Sequence, residues 1–423
     1  MSNRITDLLP PMLTGAELNR ALRQLPEMPT DDFRKNATQT ERLIALSDLY
    51  DIYVPNQMAE EIYTKLYISL MRSLAKKQTK LATIQANQNH ISSYGGVGKL
   101  GVMGGIDVFS VTGVGGIGKS SAISRSISVI TSDRVIETSE PYSRIIPVLT
   151  VQCPYDCSVK GLLFSILTGV DNLLQTNYVQ RSIRTRATTD MMIAQLSNTC
   201  LEHVGLLVID EIQNVVAHKQ GRTLIAAITQ LINSSGTALC LVGTPECGDF
   251  FKQAFHLARR TVGLEYGPLA YNEFEYLCES LFQYQYTTEF AETTPALVGK
   301  LFECSNGIPA VAVSLLHDAQ ELCICEAKDC IDVAFISAAF DHRHARLQPY
   351  IGSKVVKISQ NNNAKTKRNA VDKDLPKVEE NANTVTIMPD INPDILREIL
   401  AEKRSPEDCI VALISHGLPV VEV

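Results

Sequence analysis

Between residues 107 and 244, short apolar segments alternate with segments whose apolar residues have helical spacing. The apolar segments are DVFSVTG, RIIPVLTVQC, GLLVIDE and TALCLVGT, and the segments between them include KSSAISRSISVI, VKGLLFSILTGVDNLL and RTLIAAITQLINSS. Strands that are apolar along their whole length and alternate with helices form parallel sheets covered on both faces. The sequence therefore predicts an α/β fold built on a parallel sheet with helices on both faces.

The composition is that of an ordinary globular protein. The 423 residues carry a net charge of −7, which argues against a basic coat for nucleic acid but leaves room for a local basic groove. No basic segment followed by an apolar run stands at the N-terminus, and no stretch approaches about 18 apolar residues, so neither an export signal nor a membrane span is expected. The 11 cysteines are irregularly spaced and odd in number, which is typical of reduced thiols in the cytosol.

At about 100–200 residues per domain, the chain is expected to form two or three folded units. We expect an N-terminal arm and helical region over residues 1–95, the α/β core over 96–268 and a helical lid over 269–350. Residues 351–384 are polar and rich in Asn and Lys, which predicts a disordered linker, and residues 385–423 are expected to form a docking tail. The Gly-rich segment NQNHISSYGGVGKLGVMGG is predicted to be a loop.

A P-loop pattern, G-x-x-x-x-G-K-[ST], follows the first predicted strand and opens the first predicted helix of the α/β region. This context distinguishes a P-loop from a chance match. Backbone N–H groups of such a loop surround phosphates, and the helix N-terminus adds positive potential. Lys119 is expected to bridge the β- and γ-phosphate oxygens, and the Ser120 hydroxyl to hold Mg²⁺. The predicted cofactors are therefore ATP and Mg²⁺. The predicted nucleotide-binding residues are Gly113, Val114, Gly115, Gly116, Ile117, Gly118, Lys119, Ser120 and Ser121.

Polar residues at two further strand ends complete the predicted site, since ligands bind at the carboxyl ends of strands in open α/β sheets. Asp210 suits a water-mediated contact with Mg²⁺, and Glu211 suits the base that polarises the attacking water. Thr244 ends the fourth strand and is interpreted as a sensor of the γ-phosphate, with a plain turn as the alternative. Arg259 and Arg260 follow. In a ring-forming ATPase either arginine can reach the γ-phosphate of a neighbouring subunit, although a solvated basic turn explains them equally well.

These motifs, together with several less common ones, resemble those of the AAA+ ATPases of the TnsC/TniB family, the target-selection regulators of heteromeric transposons, including CRISPR-associated ones. The resemblance runs from about residue 41 to 345 and rests on RLIALSDLYDIYVP, GVGGIGKS, QCPYDCSVKGLL, GLLVIDEIQNV, LVGTPECGDFF, LARRTVGL and SNGIPAVAVSLLHDAQELC. It implies an AAA+ P-loop NTPase with a C-terminal helical lid, located in the bacterial cytoplasm and associated with DNA. It also implies assembly into a homo-oligomeric ring or filament around duplex DNA. Transposase subunits and a target-selector protein of the TnsD/TniQ type are the implied partners.

The chain departs from the AAA+ pattern in the lid. Many AAA+ lids carry an arginine just after a glycine, whereas the matching stretch here reads Gly307-Ile308-Pro309-Ala310. The arginine that makes the sensor-two contact in those lids is therefore missing from this stretch. The departure implies either slow hydrolysis or an arginine supplied from elsewhere.

The resemblance places DNA at loops that line the ring, after the helix that follows the second strand. Here that place holds QTNYVQRSIRTRATTD, with Arg181, Arg184 and Arg186, and Lys160 begins the preceding helix. Spaced cations follow a phosphate backbone without reading bases, which gives salt-dependent and sequence-tolerant binding. A solvated basic helix end is the alternative, and the linker segment AKTKR is a second, weaker candidate.

Two other functions fit the P-loop. The first is a signalling-type NTPase switch that assembles protein partners without DNA. The second is an origin-initiator-like loader, which would normally add a helix-turn-helix or winged-helix domain, and residues 385–423 are too few for one. No acidic set resembling a transposase catalytic core is visible, so the chain is not expected to cut DNA. ATP-dependent assembly on duplex DNA separates the transposition regulator from the signalling switch.

Overall fold

The computed structural model describes residues 5–96, 107–138, 144–155, 158–216, 221–248 and 262–344, and the structural statements below refer to these residues. The predicted linker and docking tail, residues 351–423, lie outside them, as do Arg259 and Arg260.

Six strands form one sheet in this part of the chain, in the spatial order β2-β3-β4-β5-β1-β6. The strands are β1 (Val108–Gly113), β2 (Ile136–Glu137), β3 (Arg144–Gln152), β4 (Val204–Asp210), β5 (Ala238–Gly243) and β6 (Val262–Tyr266). Neighbouring strands are parallel except for β2 and β3, which are antiparallel. The predicted parallel sheet is confirmed. The two outermost strands, β2 and β6, were not predicted, because they are short and are not continuously apolar.

Helices precede, flank and follow the sheet. The first group is α1 (Gly15–Leu22), α2 (Asp31–Asn36), α3 (Gln39–Ala45), α4 (Gln57–Lys77) and α5 (Lys80–Ser93). The second is α6 (Lys119–Ile130), α7 (Val159–Leu174), α8 (Tyr178–Arg184), α9 (Thr189–His203), α10 (Gln213–Val216) and α11 (Gly221–Ser235). The third is α12 (Tyr271–Leu281), α13 (Pro295–Ser305), α14 (Pro309–Cys325) and α15 (Val333–Ala339). Short 3₁₀ turns cover Ile5–Leu8, Leu46–Asp51 and Pro245–Cys247, and a π turn covers Phe340–His344. No single helix among these residues is long and apolar enough to cross a membrane.

Apolar residues cover both faces of the sheet, as the alternation of strands and helices predicts. Successive residues of β4 point to opposite faces: Leu207 and Ile209 belong to the core under α7, α9 and α11, whereas Leu206 and Val208 belong to the core under α1, α4 and α6. All four side chains are buried. The fold is therefore an α/β sandwich of three layers, and the N-terminal helices α1 and α4 form part of one layer.

The helices after β6 pack around a third apolar core. Phe274, Leu301 and Leu315 are buried in it, together with Leu46 and Leu49 from the 3₁₀ turn before α4. The residues before β1 thus contribute to two cores, since Leu46 and Leu49 pack in the lid and α4 packs on the sheet.

The polar segment before β1 was predicted to be a loop, and this prediction is wrong for residues 87–93, which end helix α5. The buried face of α5 includes Gln85 and Asn89. Gln85 Nε2 donates to Asn89 Oδ1 over 2.9 Å, and Asn89 Nδ2 donates to the carbonyl of Ser234 in α11 over 2.8 Å. Because these amides are hydrogen-bonded within the interface, a helix can bury them, and polar composition was a misleading signal.

The segment QTNYVQRSIRTRATTD was also predicted to be a loop, but its centre forms α8. The Asp171 carboxylate, in the last turn of α7, accepts hydrogen bonds from the backbone N–H groups of Tyr178 and Val179 over 2.8 and 2.9 Å. It also accepts from the Thr176 hydroxyl over 2.6 Å. A carboxylate that binds the first N–H groups of a helix stabilises its start, and this cap comes from the preceding helix rather than from an adjacent residue.

Candidate nucleotide-binding site

The P-loop connects β1 to α6, and its backbone uses conformations that favour glycine. Gly118 is the N-cap of α6 with φ +95°, and Gly116 has φ +82°. Both values lie in the left-handed region that residues with a side chain rarely adopt. The predicted order of strand, loop and helix is therefore present. The free N–H groups of the first turn of α6 lie at the end of the loop, where an anion is favoured.

Lys119, the first residue of α6, is folded back across the loop. Its Nζ donates to the carbonyl oxygens of Gly113 and Val114 over 2.7 and 2.9 Å. Burial lowers the pKa of Lys119, while the nearby carboxylates of Asp210 and Glu211 raise it. The ammonium group thus lies inside the loop curve, next to the backbone that would surround a phosphate.

Ser120 and Asp210, 90 residues apart in the chain, are in direct contact, since the Ser120 hydroxyl donates to Asp210 Oδ2 over 2.8 Å. The contact forms because β1 and β4 run in the same direction and end at the same edge of the sheet. A hydroxyl and a carboxylate supply the oxygen ligands that Mg²⁺ prefers. The two side chains could therefore hold a magnesium ion beside the P-loop.

Glu211 and Thr244 lie at the same edge. The Glu211 carboxylate is exposed, and its Oε2 accepts a hydrogen bond from Gln213 Nε2. Thr244 directly follows β5, and its hydroxyl oxygen is buried. A backbone hydrogen bond of 3.0 Å from Ile212 N to Val242 O ties the turn after β4 to β5. The structure therefore brings Asp210, Glu211 and Thr244 to the strand ends next to the P-loop.

A cavity of about 590 Å³ adjoins the loop. Its walls come from the loop, from the segment around α3 and α4, and from the lid. Its side chains include Tyr50, Tyr53, Tyr276 and Val313, with Glu60 and Glu273 as the acidic members, and among the described residues neither arginine nor lysine lines it. A mainly apolar and aromatic lining suits an uncharged base and sugar. The sequence analysis does not predict this cavity, although the segment RLIALSDLYDIYVP, one of those that carry the family resemblance, ends at one of its walls.

The lid contacts the P-loop directly at the stretch that lacks the expected arginine. The backbone N–H of Ala310 donates to the Gly116 carbonyl over 3.1 Å. A Cβ placed on Gly116 would lie 3.0 Å from Ile308 Cγ2 and 3.2 Å from Ala310 Cβ. In place of a charged side chain, backbone and small apolar groups make the contact between lid and loop here.

Comparison with known proteins agrees with this geometry. Residues 105–265 match the family model described as the bacterial TniB protein. The match contains the P-loop, Asp210, Glu211 and Thr244. Over these residues the chain is similar to the TniB family. No curated protein matches the chain.

Solved structures similar to the chain share little sequence with it. Drosophila ORC bound to DNA is 14% identical, with 82% of this chain and 74% of that chain covered and a TM-score of 0.45. The ORC2 protein of Aeropyrum pernix, in ADPNP–ADP complexes, is 13% identical, with 62% and 66% covered and a TM-score of 0.38. The Thermotoga maritima RuvB Holliday junction branch migration motor is 14% identical, with 62% and 68% covered and a TM-score of 0.34.

The cations predicted to contact DNA lie at two places within the residues that match the TniB model. Arg181 and Arg184 are on α8 and Arg186 follows it, and all three are exposed. The buried Ser182 hydroxyl donates to Gln195 Oε1 over 2.9 Å and anchors α8 to α9. Lys160 is exposed in the first turn of α7, whereas α8 begins beyond the other end of that helix. The structure therefore groups the three arginines on one short segment and does not place Lys160 on it.

Proposed function

We propose that the chain is an ATP-dependent regulator of DNA transposition, which oligomerises on duplex DNA and couples target-site recognition to recruitment and activation of the transposase. The observation that carries this proposal is the contact between Ser120 and Asp210 beside the P-loop, within the segment that matches the TniB family. This contact assembles the predicted magnesium ligands from two distant parts of the chain, as a working ATP site requires.

In this proposal, the N–H groups of the P-loop bind the phosphates of ATP, and Lys119 leaves its two carbonyl partners to bind the β- and γ-phosphates. Mg²⁺, held by Ser120 and Asp210, would neutralise charge on the phosphate oxygens. Glu211 takes a proton from the attacking water. The water oxygen bonds to the γ-phosphorus as the bond to the β,γ-bridging oxygen breaks, which yields ADP and phosphate. Thr244 contacts the γ-phosphate.

Assembly and partner binding involve other surfaces. Arg181, Arg184 and Arg186 contact the DNA backbone, because exposed cations grouped on one segment suit phosphates and carry no base specificity. Arg259 or Arg260 reaches the ATP of a neighbouring subunit. Transposase subunits and a target-selector protein of the TnsD/TniQ type are the proposed partners, and the tail over residues 385–423 docks to the transposase.

The proposal is tested by electron microscopy and fluorescence anisotropy with a labelled duplex of unrelated sequence. Samples contain ATP, ADP, a slowly hydrolysed ATP analogue or no nucleotide, each with magnesium. We expect rings or filaments on DNA only with ATP or the analogue, and an affinity that falls steeply between 50 and 200 mM salt.

Lys119→Ala is the matched negative variant, because it removes the phosphate-binding ammonium and should abolish both nucleotide binding and assembly. Lys300→Ala is the control, since Lys300 pairs with Glu303 on the lid over 3.2 Å and does not contact the P-loop. Nucleotide-dependent assembly that is indifferent to DNA would instead identify a signalling-type switch. Normal ATP affinity in Lys119→Ala would contradict the assigned nucleotide site.

A further inference from the structure

Gln213, which the sequence analysis does not predict to be a site residue, contacts Glu211, the side chain proposed as the catalytic base. It is the first residue of α10, and its Nε2 donates to Glu211 Oε2. Two hydrogen bonds from backbone N–H groups fix the same turn: Glu211 N donates to the side-chain Oδ1 of Asp210 over 2.8 Å, and Asn214 N donates to the Glu211 carbonyl over 3.2 Å. One carboxylate oxygen of Glu211 is therefore held by an amide. The other, Oε1, makes no hydrogen bond to the described residues.

Two unfavourable local features occur within three residues at this turn. Glu211 has φ +58°, in the left-handed region that residues other than Gly, Asn and Asp rarely adopt. The Gln213 Oε1 atom is buried without a hydrogen-bond partner in the described part of the chain, and a buried polar atom without a partner costs stability. Strain and unsatisfied groups that persist together are typical of functional sites, where surrounding structure maintains a required geometry.

Packing against the end of β5 holds the Gln213 amide in place. A Cβ added to Gly243 would lie 3.3 Å from Gln213 Oε1, and 2.8 Å from both Ile212 Cγ2 and Cys247 Sγ. Gly243 is the last residue of β5 and directly precedes Thr244. The amide oxygen of Gln213 thus packs against the end of β5, next to Thr244, the proposed γ-phosphate sensor. The amide nitrogen is therefore directed at Glu211.

We propose that Gln213 is a positioning residue that orients the Glu211 carboxylate for hydrolysis of ATP, an inference that rests on the proposed role of Glu211 as base. A carboxylate base accepts the proton of water through one oxygen. With Oε2 held by Gln213, rotation of the carboxylate is restricted, and Oε1 is the oxygen presented to water. Gln213 thereby links Glu211 to the strand end at Thr244.

The test compares Gln213→Ala with the isosteric Gln213→Glu, which replaces the amide donor by an acceptor. We expect kcat for ATP hydrolysis to fall about 10- to 100-fold in both variants, as expected for a misplaced catalytic group. KM for ATP and Kd for ADPNP should stay within about twofold, because the phosphate contacts are intact. Gln39→Ala on α3 is the matched control, since its Nε2 donates to the Ile324 carbonyl over 3.2 Å and its kcat should stay near the wild-type value.

A double-mutant cycle separates positioning from a general structural effect. If Gln213 acts through Glu211, then Gln213→Ala lowers kcat in the wild-type background but not in the Glu211→Gln background. The inference is overturned if Gln213→Ala lowers kcat equally in both backgrounds. It is also overturned if Gln213→Ala has the wild-type kcat while Glu211→Gln is slow. Either outcome leaves the proposed role of Glu211 as base intact. Wild-type turnover by Glu211→Gln alone overturns the base assignment itself. Thermal unfolding midpoints verify that each variant is folded.

Discussion

At the scale of single residues, Lys77 is an ionisable group that the fold buries. The sequence pattern alone suggests that it lies in solvent at the end of a helix. The side chain is fully buried under the sheet. Its Nζ donates to the carbonyl oxygens of Cys200 and Leu201 over 2.7 and 2.9 Å, and to the Thr237 hydroxyl over 3.4 Å. A cation is favourable at the C-terminus of a helix, and Lys77 binds that of α9. Burial nevertheless lowers its pKa to about 7.

This burial predicts a pH-dependent contribution to stability. Below pH 7 the amine is protonated in both the folded and the unfolded chain. Between pH 7 and the unfolded value of 10.5, only the unfolded chain holds the proton, so the free energy of unfolding rises with pH. We expect a rise of about 2 kcal/mol from pH 7 to pH 9 from this group. Lys77→Met should lack it.

Urea unfolding followed by circular dichroism at pH 7, 8 and 9 measures this difference. The gap in unfolding free energy between wild type and Lys77→Met should widen in favour of the wild type as the pH increases. The same pH dependence in both proteins would show that the buried amine keeps its ordinary titration.

At the scale of elements, the segment that follows α1 connects the sheet domain to the lid. On α6, Arg125 Nε donates to the Leu22 carbonyl over 2.9 Å, and its Nη1 donates to Gln24 Oε1 over 3.0 Å. On the lid side, Arg23 donates to the Tyr276 hydroxyl, and the Tyr284 hydroxyl donates to the Pro26 carbonyl over 2.8 Å. Because α6 begins at Lys119 and Tyr276 lines the cavity, this segment ties both sides of the nucleotide site together.

We therefore expect Arg125→Gln to weaken retention of nucleotide. The substitution removes charge-assisted hydrogen bonds from the half-buried Arg125 to the end of α1, each worth at most about 1.5–3 kcal/mol, and frees the lid to open. The dissociation rate of a fluorescent ATP analogue, measured by stopped-flow displacement, should increase about 5- to 10-fold, since part of this energy is recovered by water.

Arg20→Gln is the control for this measurement, because Arg20 lies on the same helix α1 but is exposed. Its dissociation rate should equal that of the wild type. Equal rates in Arg125→Gln and wild type would mean that the N-terminal segment does not restrain the lid.

At the scale of the whole molecule, charge is unevenly distributed. The chain carries a net charge of −7, yet Arg181, Arg184 and Arg186 lie exposed on one segment. On a protein with a net negative charge, a local group of exposed cations favours phosphate binding at that group. The charge distribution thus favours DNA held along a defined path rather than over the whole surface.

Replacing Arg181, Arg184 and Arg186 together by Ala should weaken DNA binding while leaving ATP affinity unchanged. Each lost phosphate contact is expected to reduce the slope of log K against log salt by about 1, so the slope should decrease by about 3. Fluorescence anisotropy between 50 and 200 mM salt provides both the affinity and the slope.

A second triple variant, with Lys365, Lys367 and Arg368 of the AKTKR segment replaced by Ala, removes the same charge elsewhere. If this variant loses the affinity and the slope instead, the DNA contact lies in the predicted linker rather than at α8.

Most of the α/β core and the central part of the site could be predicted because local chemistry determines them. The segment Leu206 to Ile209 is apolar throughout, which is typical of a strand in a sheet that is covered on both faces. The glycines before Lys119 suit a loop that surrounds phosphate. Short edge strands could not be predicted. β6 alternates between exposed and half-buried residues from Gly263 to Tyr266. Its pairing with β1 depends on backbone hydrogen bonds, which the pattern of side chains does not predict.

The sequence by itself determined the kind of fold, the P-loop and the acidic pair at the end of β4, since hydrophobic periodicity and motif spacing act over short distances along the chain. Only the tertiary structure decided which polar groups are buried and which distant residues meet. It joined Ser120 and Asp210, predicted to share one site, by a direct hydrogen bond, and it brought Gln213 to Glu211 and Ala310 to Gly116. These contacts depend on the order of strands and on the packing of the lid, because a hydrogen bond has no signature in sequence until the fold brings its donor and acceptor together.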